Sequence, residues 1–100
     1  MSTEIGRTIA QFFLNGKRKS MSNTYTDGKA IFLYENKIAW RDEEGRVFFN
    51  LCGWNTKTTK DRLSALGIWI TQKNWRIYYR GNEIENNKNY SSDVFVNKDA

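Results

Sequence analysis

One hundred residues suffice for a single domain with a modest core that needs neither disulfides nor metals. Fifteen aromatic residues and no Pro exclude a collagenous chain or a disordered linker. Sixteen Lys and Arg against eleven Asp and Glu give +5. The charge is uneven, with +7 over residues 1–80 and −2 over residues 81–100. A basic body of this kind suits a polyanionic or acidic partner, or simply a solvated basic surface.

The chain opens with Ile5, Ile9, Phe12 and Phe13 at i, i+4, i+7 and i+8, one apolar helical face. Ser2 or Thr3 is placed to cap it, and Asn15-Gly16 marks its stop. Lys17, Arg18 and Lys19 follow at the negative end of the helix dipole, as a solvated helix end or as phosphate contacts. Residues 20–27 alternate weakly and read as an edge strand or a loop. Asp27-Gly28 is a turn signal.

From Lys29 the period becomes two. Ile31 and Leu33 face one way, Phe32 and Tyr34 the other. Glu35-Asn36 turns the chain, and Ile38 and Trp40 resume the first face. After the acidic turn Asp42-Glu43-Glu44-Gly45, Val47, Phe49 and Leu51 alternate with Phe48 and Asn50. Three strands on short turns predict an antiparallel meander.

A second helix start lies in Cys52–Gly67. Thr58 followed by Asp61 resembles a capping box, Leu63 and Leu66 repeat at helical spacing, and Gly67 supplies a left-handed stop. The spacing predicts a short helix over roughly Thr59–Leu66. Beyond it, Ile68 and Ile70 alternate with Trp69 and Thr71, and Lys73-Asn74 is a candidate hairpin turn. Trp75, Ile77 and Tyr79 then alternate with Arg76 and Tyr78.

The expectation is an α+β fold in one small domain, residues 1–84. It has an antiparallel sheet of about five strands (meander, then hairpin), an N-terminal helix and a short central helix. Residues 85–100 are polar, with one apolar run at Val94-Phe95-Val96, and read as a mobile tail. One sheet face is aliphatic and aromatic: Ile31, Leu33, Ile38, Trp40, Val47, Phe49, Leu51, Ile68, Ile70, Trp75 and Ile77. The other mixes aromatic and polar residues: Phe32, Tyr34, Phe48, Asn50, Trp69, Arg76 and Tyr78. Two short helices cannot cover both faces. The second face is therefore exposed as an interaction surface, a homodimer contact included, covered by the tail, or curled into a second core.

Two stretches carry a family resemblance. Tyr34-Glu35-Asn36-Lys37-Ile38-Ala39, and Gly53-Trp54-Asn55-Thr56-Lys57-Thr58-Thr59-Lys60-Asp61-Arg62-Leu63, resemble small uncharacterised proteins of tailed bacteriophages that carry a Gly-Trp-x-Thr-x-Thr-Thr-x-x-Arg-Leu motif. The similarity spans about residues 8–84. Here Glu35 stands where the pattern has Gly, and Ser64 where it has Asn, which puts the type of the first turn in question. The resemblance implies phage origin and an accessory role, and it supplies no catalytic residues.

The chemistry is that of a binder rather than an enzyme. With no His, the Ser-His and Cys-His nucleophile systems and His-based metal sites are out, and no cofactor motif is present. The stretch from Gly53 to Lys60 lacks the second Gly and the Gly-Lys-Thr order of a phosphate loop. Cys52 reads as a small buried hydrophobe.

A helix start bearing Lys57, Thr58, Thr59 and Lys60 offers donors to phosphate, although the threonines also serve as ordinary caps. Arg62 reads either as a base-edge contact or as a side chain packed over Trp54. Trp69, Arg76 and Tyr78 offer a stacking face for single-stranded bases. The expected partner is nucleic acid or a nucleoprotein. The alternative is a host-takeover or counter-defence inhibitor that meets an acidic host protein with the same cations. A lone Cys, no signal peptide and no long apolar run point to the host cytoplasm and away from a membrane.

Overall fold

The computed structural model describes residues 3–54 and 56–94. Helix α1 (Glu4–Leu14) is capped by Thr3, whose hydroxyl accepts from the Gly6 N–H at 3.2 Å; Ser2, the alternative cap, lies outside the described residues. It buries Ile9, Ala10 and Phe13. It ends at Asn15, whose N–H donates to Gln11, and Gly16 follows at φ 69°. The apolar face read from the sequence is the buried one.

Strands β1 (Lys19–Met21), β2 (Thr24–Thr26), β3 (Ala30–Leu33), β4 (Asn36–Arg41) and β5 (Val47–Phe49) form an antiparallel series in chain order. Residues 20–27, read as an edge strand or a loop, thus fall mostly within a β1–β2 hairpin. The β2–β3 turn depends on Asp27, whose carboxylate accepts from the Lys29 and Ala30 N–H groups at 2.8 and 2.9 Å. Gly28 is needed there twice over. Its φ is +94°, and a Cβ would sit 2.6 Å from the Gly16 carbonyl oxygen. The β3–β4 hairpin turns at Tyr34-Glu35 rather than Glu35-Asn36, because Leu33 pairs with Asn36. Both loop residues have positive φ, 49° and 70°, as a type I′ turn requires.

A bulge between Ile31 and Phe32, opposite Ile38, changes which side chains point inward. Ile38 and Ala39 are both buried, and Trp40 turns to the outer face with Phe48. Period-two reading had placed Trp40 on the inner face. One extra residue in the strand is enough to reverse everything after it.

After helix α2 (Lys57–Ser64) come β6 (Ile70–Lys73), β7 (Arg76–Tyr79) and β8 (Asn82–Ile84), which form a separate three-stranded sheet. The architecture is α+β, as expected, but the strands divide into two sheets. The β6–β7 loop is Asn74-Trp75, both at positive φ, since Lys73 pairs with Arg76. Trp75 is therefore a turn residue, 93% exposed, and not an inner-face residue.

Strand β9 (Tyr90–Ser91) returns to the large sheet and pairs with β5, giving the order β1-β2-β3-β4-β5-β9. The start of the expected mobile tail is thus built into the fold. Tyr90 stacks on Phe49 at 5.7 Å, and the Tyr79 hydroxyl donates to the Ser92 carbonyl. Of the apolar run, Val94 is exposed, and Phe95 and Val96 lie outside the described residues. The core joins Ile9 and Phe13 of α1, Leu63 of α2, the inner face of the large sheet and Ile70, Ile77 and Tyr79 of the small one. Tyr79 meets Phe49 edge to face at 5.1 Å, which locks the two sheets together.

Candidate functional site

The start of α2 is set by Thr56, two residues before the expected cap. Its hydroxyl accepts from the Thr59 N–H at 3.2 Å and lies 3.1 Å from the Thr59 hydroxyl. Thr59 is the third helical residue and wholly buried, so it is capping structure and not a surface donor. Thr58 is half-buried, and its hydroxyl has no described partner. The helix closes as foreseen at Gly67, φ 83°, with Gly67 N–H donating to Ser64 and Ile68 N–H to Leu63.

Asp61 lies too far along α2 to cap its own helix, and it serves α1 instead. Its carboxylate accepts from the Thr3 N–H at 2.6 Å and the Thr3 hydroxyl at 2.7 Å. Gly6 leaves room for it, since a Cβ there would stand 2.8 Å from Asp61 Oδ2 and push the carboxylate aside. Desolvation pushes the Asp61 carboxyl up, but hydrogen bonds from Thr3 and Arg62 outweigh it and hold it below the ordinary aspartate value.

Arg62 is 6% exposed. Its Nε donates to the Thr24 hydroxyl at 2.8 Å, Nη1 to Thr3 Oγ1 at 3.1 Å and Asp61 Oδ2 at 2.5 Å, and Nη2 to Asn23 Oδ1 at 3.2 Å. It neither reaches a base edge nor packs over Trp54; it ties α2 to α1 and to the β1–β2 turn. Asn23 passes the constraint on, donating from Nδ2 to the Tyr34 hydroxyl at 3.1 Å.

Four of the remaining residues of the expected site come together. Lys57, Thr58, Lys60 and Trp69 border one open groove of about 520 Å³ between α2 and β6. Lys60 Nζ donates to Gln72 at 3.3 Å, and neither lysine is ion-paired with a described carboxylate. Trp69, 56% exposed, also borders a second groove of about 430 Å³ that holds Arg80. By the pairing of β6 and β7, Trp69, Lys73, Arg76 and Tyr78 share the outer face of the small sheet. Arg76 makes one loose, exposed contact with Glu83 at 3.7 Å. Arg80 was not legible as a site residue. It lies in the Arg80-Gly81 turn at φ 51°, where the sequence signals only a hairpin.

Lys17, Arg18 and Lys19 do not join this surface. Arg18 and Lys19 border a separate groove with Tyr25, and Lys19 Nζ lies 5.3 Å from the centre of the Phe12 ring. The single aromatic face expected from the strands is likewise divided. On the large sheet, Tyr25 stacks on Phe32 at 4.8 Å and Trp40 on Phe48 at 6.0 Å. Lys37 lies over Trp40 and Arg46 over Phe48. This face therefore satisfies much of its ring surface internally.

A third feature was missed. A cleft of about 390 Å³ lies where the β3–β4 turn meets the approach to α2, with Tyr34 and Trp54 on its rim and Leu33 and Ile38 beneath. Both rim residues stand in the stretches that carry the family resemblance, which is the signal that could have marked them.

Cys52 donates from Sγ to the Lys37 carbonyl at 3.3 Å, and burial pushes its thiol up, so it is a poor nucleophile at neutral pH. The described residues contain no group of three or more acidic or Cys side chains placed to hold a metal. No described helix is long and apolar enough to cross a membrane.

The family model described as Kyanoviridae Gp96 protein matches residues 3–99. No curated protein and no solved structure matches the chain. The chain belongs to the Kyanoviridae Gp96 protein family, a family of bacteriophage proteins.

Proposed function

We propose that this phage protein is a non-catalytic binder of single-stranded nucleic acid. The strand follows the groove of Lys57 and Lys60, crosses Trp69 and continues towards Arg80, with Arg76 and Tyr78 beside it. The observation that carries this reading is Trp69, an exposed ring standing as the shared wall between two grooves that hold Lys57, Lys60 and Arg80, cations with no described carboxylate partner, whereas Arg62 at the first groove is paired with Asp61. Phosphates neutralised on either side would leave a base free to stack on the indole. That arrangement is tolerant of sequence and sensitive to salt.

Fluorescence anisotropy with single-stranded and duplex oligonucleotides at two salt concentrations tests this. Trp69→Ala should cost about 1–3 kcal/mol of binding, and Lys57→Glu with Lys60→Glu should weaken binding and flatten its salt dependence. The charge reversals should leave folding nearly intact because neither lysine is ion-paired with a described carboxylate and Lys60 makes only one long bond, to Gln72. Wild-type protein that binds no oligonucleotide at low salt refutes the proposal. The same cations would then be assigned to an acidic host protein, as in a host-takeover or counter-defence inhibitor, and capture from host lysate that survives nuclease would identify it.

A further inference from the structure

We propose that the Tyr34–Trp54 cleft is a nucleotide site, taking a base between the two rings while the phosphate rests on Lys57. The inference shares Lys57 with the strand-binding reading but does not use the Trp69 platform.

Four features point to this ligand. The cleft has a volume of about 390 Å³, within the range of small-ligand pockets. Its floor is aliphatic, from Leu33 and Ile38, and its rim carries two exposed rings, Tyr34 at 70% and Trp54 at 58%. A flat heterocycle covers such rings better than a branched aliphatic group does.

Two polar groups on the lining lack described partners, the Thr58 hydroxyl and Asn36 Oδ1. The Asn36 amide makes only one long bond, from Nδ2 to the Tyr34 carbonyl at 3.4 Å. A carboxamide with a free acceptor and a weakly used donor matches the mixed edge of a nucleobase. Charge supplies the fourth feature. Thr58 borders both this cleft and the groove that holds Lys57 and Lys60, so the cleft adjoins cations that have no described carboxylate partner. A ligand with a flat ring at one end and an anion at the other fits that sequence of surfaces. The Tyr34 wall is held by Asn23, and Asn23 by Arg62, so one side of the slot is set before a ligand arrives.

The source of the nucleotide, free or within a strand, is separated by the test. Nucleoside monophosphates are titrated into isotope-labelled protein, with ribose 5-phosphate as the base-free control, and the four indole N–H signals are followed by NMR. The Trp54 indole and the Thr58 amide should shift with nucleotide and not with ribose 5-phosphate. Trp54→Ala and Thr58→Val should each raise the Kd about tenfold, with the melting temperature nearly unchanged because Trp54 is exposed and the Thr58 hydroxyl has no partner among the described residues. Trp69→Ala should leave monophosphate binding as it was. Shifts confined to Trp69, equal shifts with ribose 5-phosphate, or unchanged affinity in both cleft variants overturn the site. If oligonucleotides bind but monophosphates leave Trp54 untouched, the cleft assignment fails and the strand reading stands. If monophosphates bind the cleft and oligonucleotides do not bind at all, the strand reading fails and the ligand is a free nucleotide.

Discussion

Replacing Arg62 by Met removes a charge while keeping most of the aliphatic volume of the side chain. Four acceptors then lose a donor at once: Thr24, Thr3, Asp61 and Asn23. Removing one partner from a buried ion pair costs about 3–5 kcal/mol, because the other charge stays behind in a low-dielectric site. Asp61 keeps its two bonds from Thr3, and Thr24 keeps its bond to Asn23, so the lower end of that range applies. For a chain of this length, about 3 kcal/mol lowers the melting temperature by roughly 12–24 °C. Urea denaturation at neutral pH measures the loss, and an unchanged m-value would show that it lies in stability and not in a looser native state. Arg62→Lys should cost less, since charge remains but the forked geometry does not.

The pH dependence provides an independent arm. The folded Asp61 carboxyl lies below the ordinary aspartate value of 3.8, so its contribution is present above that value and is lost as pH falls through the folded one. In Arg62→Met the depression shrinks, and the loss of stability on acidification should be shallower. An Arg62→Met protein within about 1 kcal/mol of wild type would refute the claim that this network joins the two helices.

Thr56→Ala should cost about 1 kcal/mol as the loss of the α2 cap, whereas Thr58→Ala should be nearly neutral; calorimetry of the pair would expose a reversed order. Glu35→Gly should stabilise by about 1 kcal/mol, because Glu35 holds a φ of 70° that a side chain disfavours, and a lowered denaturation midpoint would contradict this. Truncation after Ile84 should destabilise by at least about 2 kcal/mol, since it removes Tyr90 from Phe49 and the acceptor of the Tyr79 hydroxyl. An unchanged melting temperature would mean that β9 is not part of the folding unit.

Local chemistry decided much of this protein in advance. The apolar stripe of α1, its Asn-Gly stop, the Asp27-Gly28 turn and the Gly67 helix end are all short-range effects, and each is legible from a few adjacent residues. Lys57, Thr58 and Lys60 were legible as one group because they share a helix start, whereas Trp69 read as part of a separate sheet face and meets them only in the folded chain. What sequence patterns could not decide was anything set by a partner far along the chain. The bulge opposite Ile38 appears only when β3 and β4 pair, and it alone turns Trp40 outward. Asp61 looks like a cap for its own helix, and Thr3, fifty-eight positions earlier, claims it. Arg62 looks like a surface cation, and its four acceptors come from three separate segments. The division into two sheets and the return of Tyr90 to β5 have the same cause: the interior is shared among distant segments, and only the closed chain determines which of them a side chain will meet.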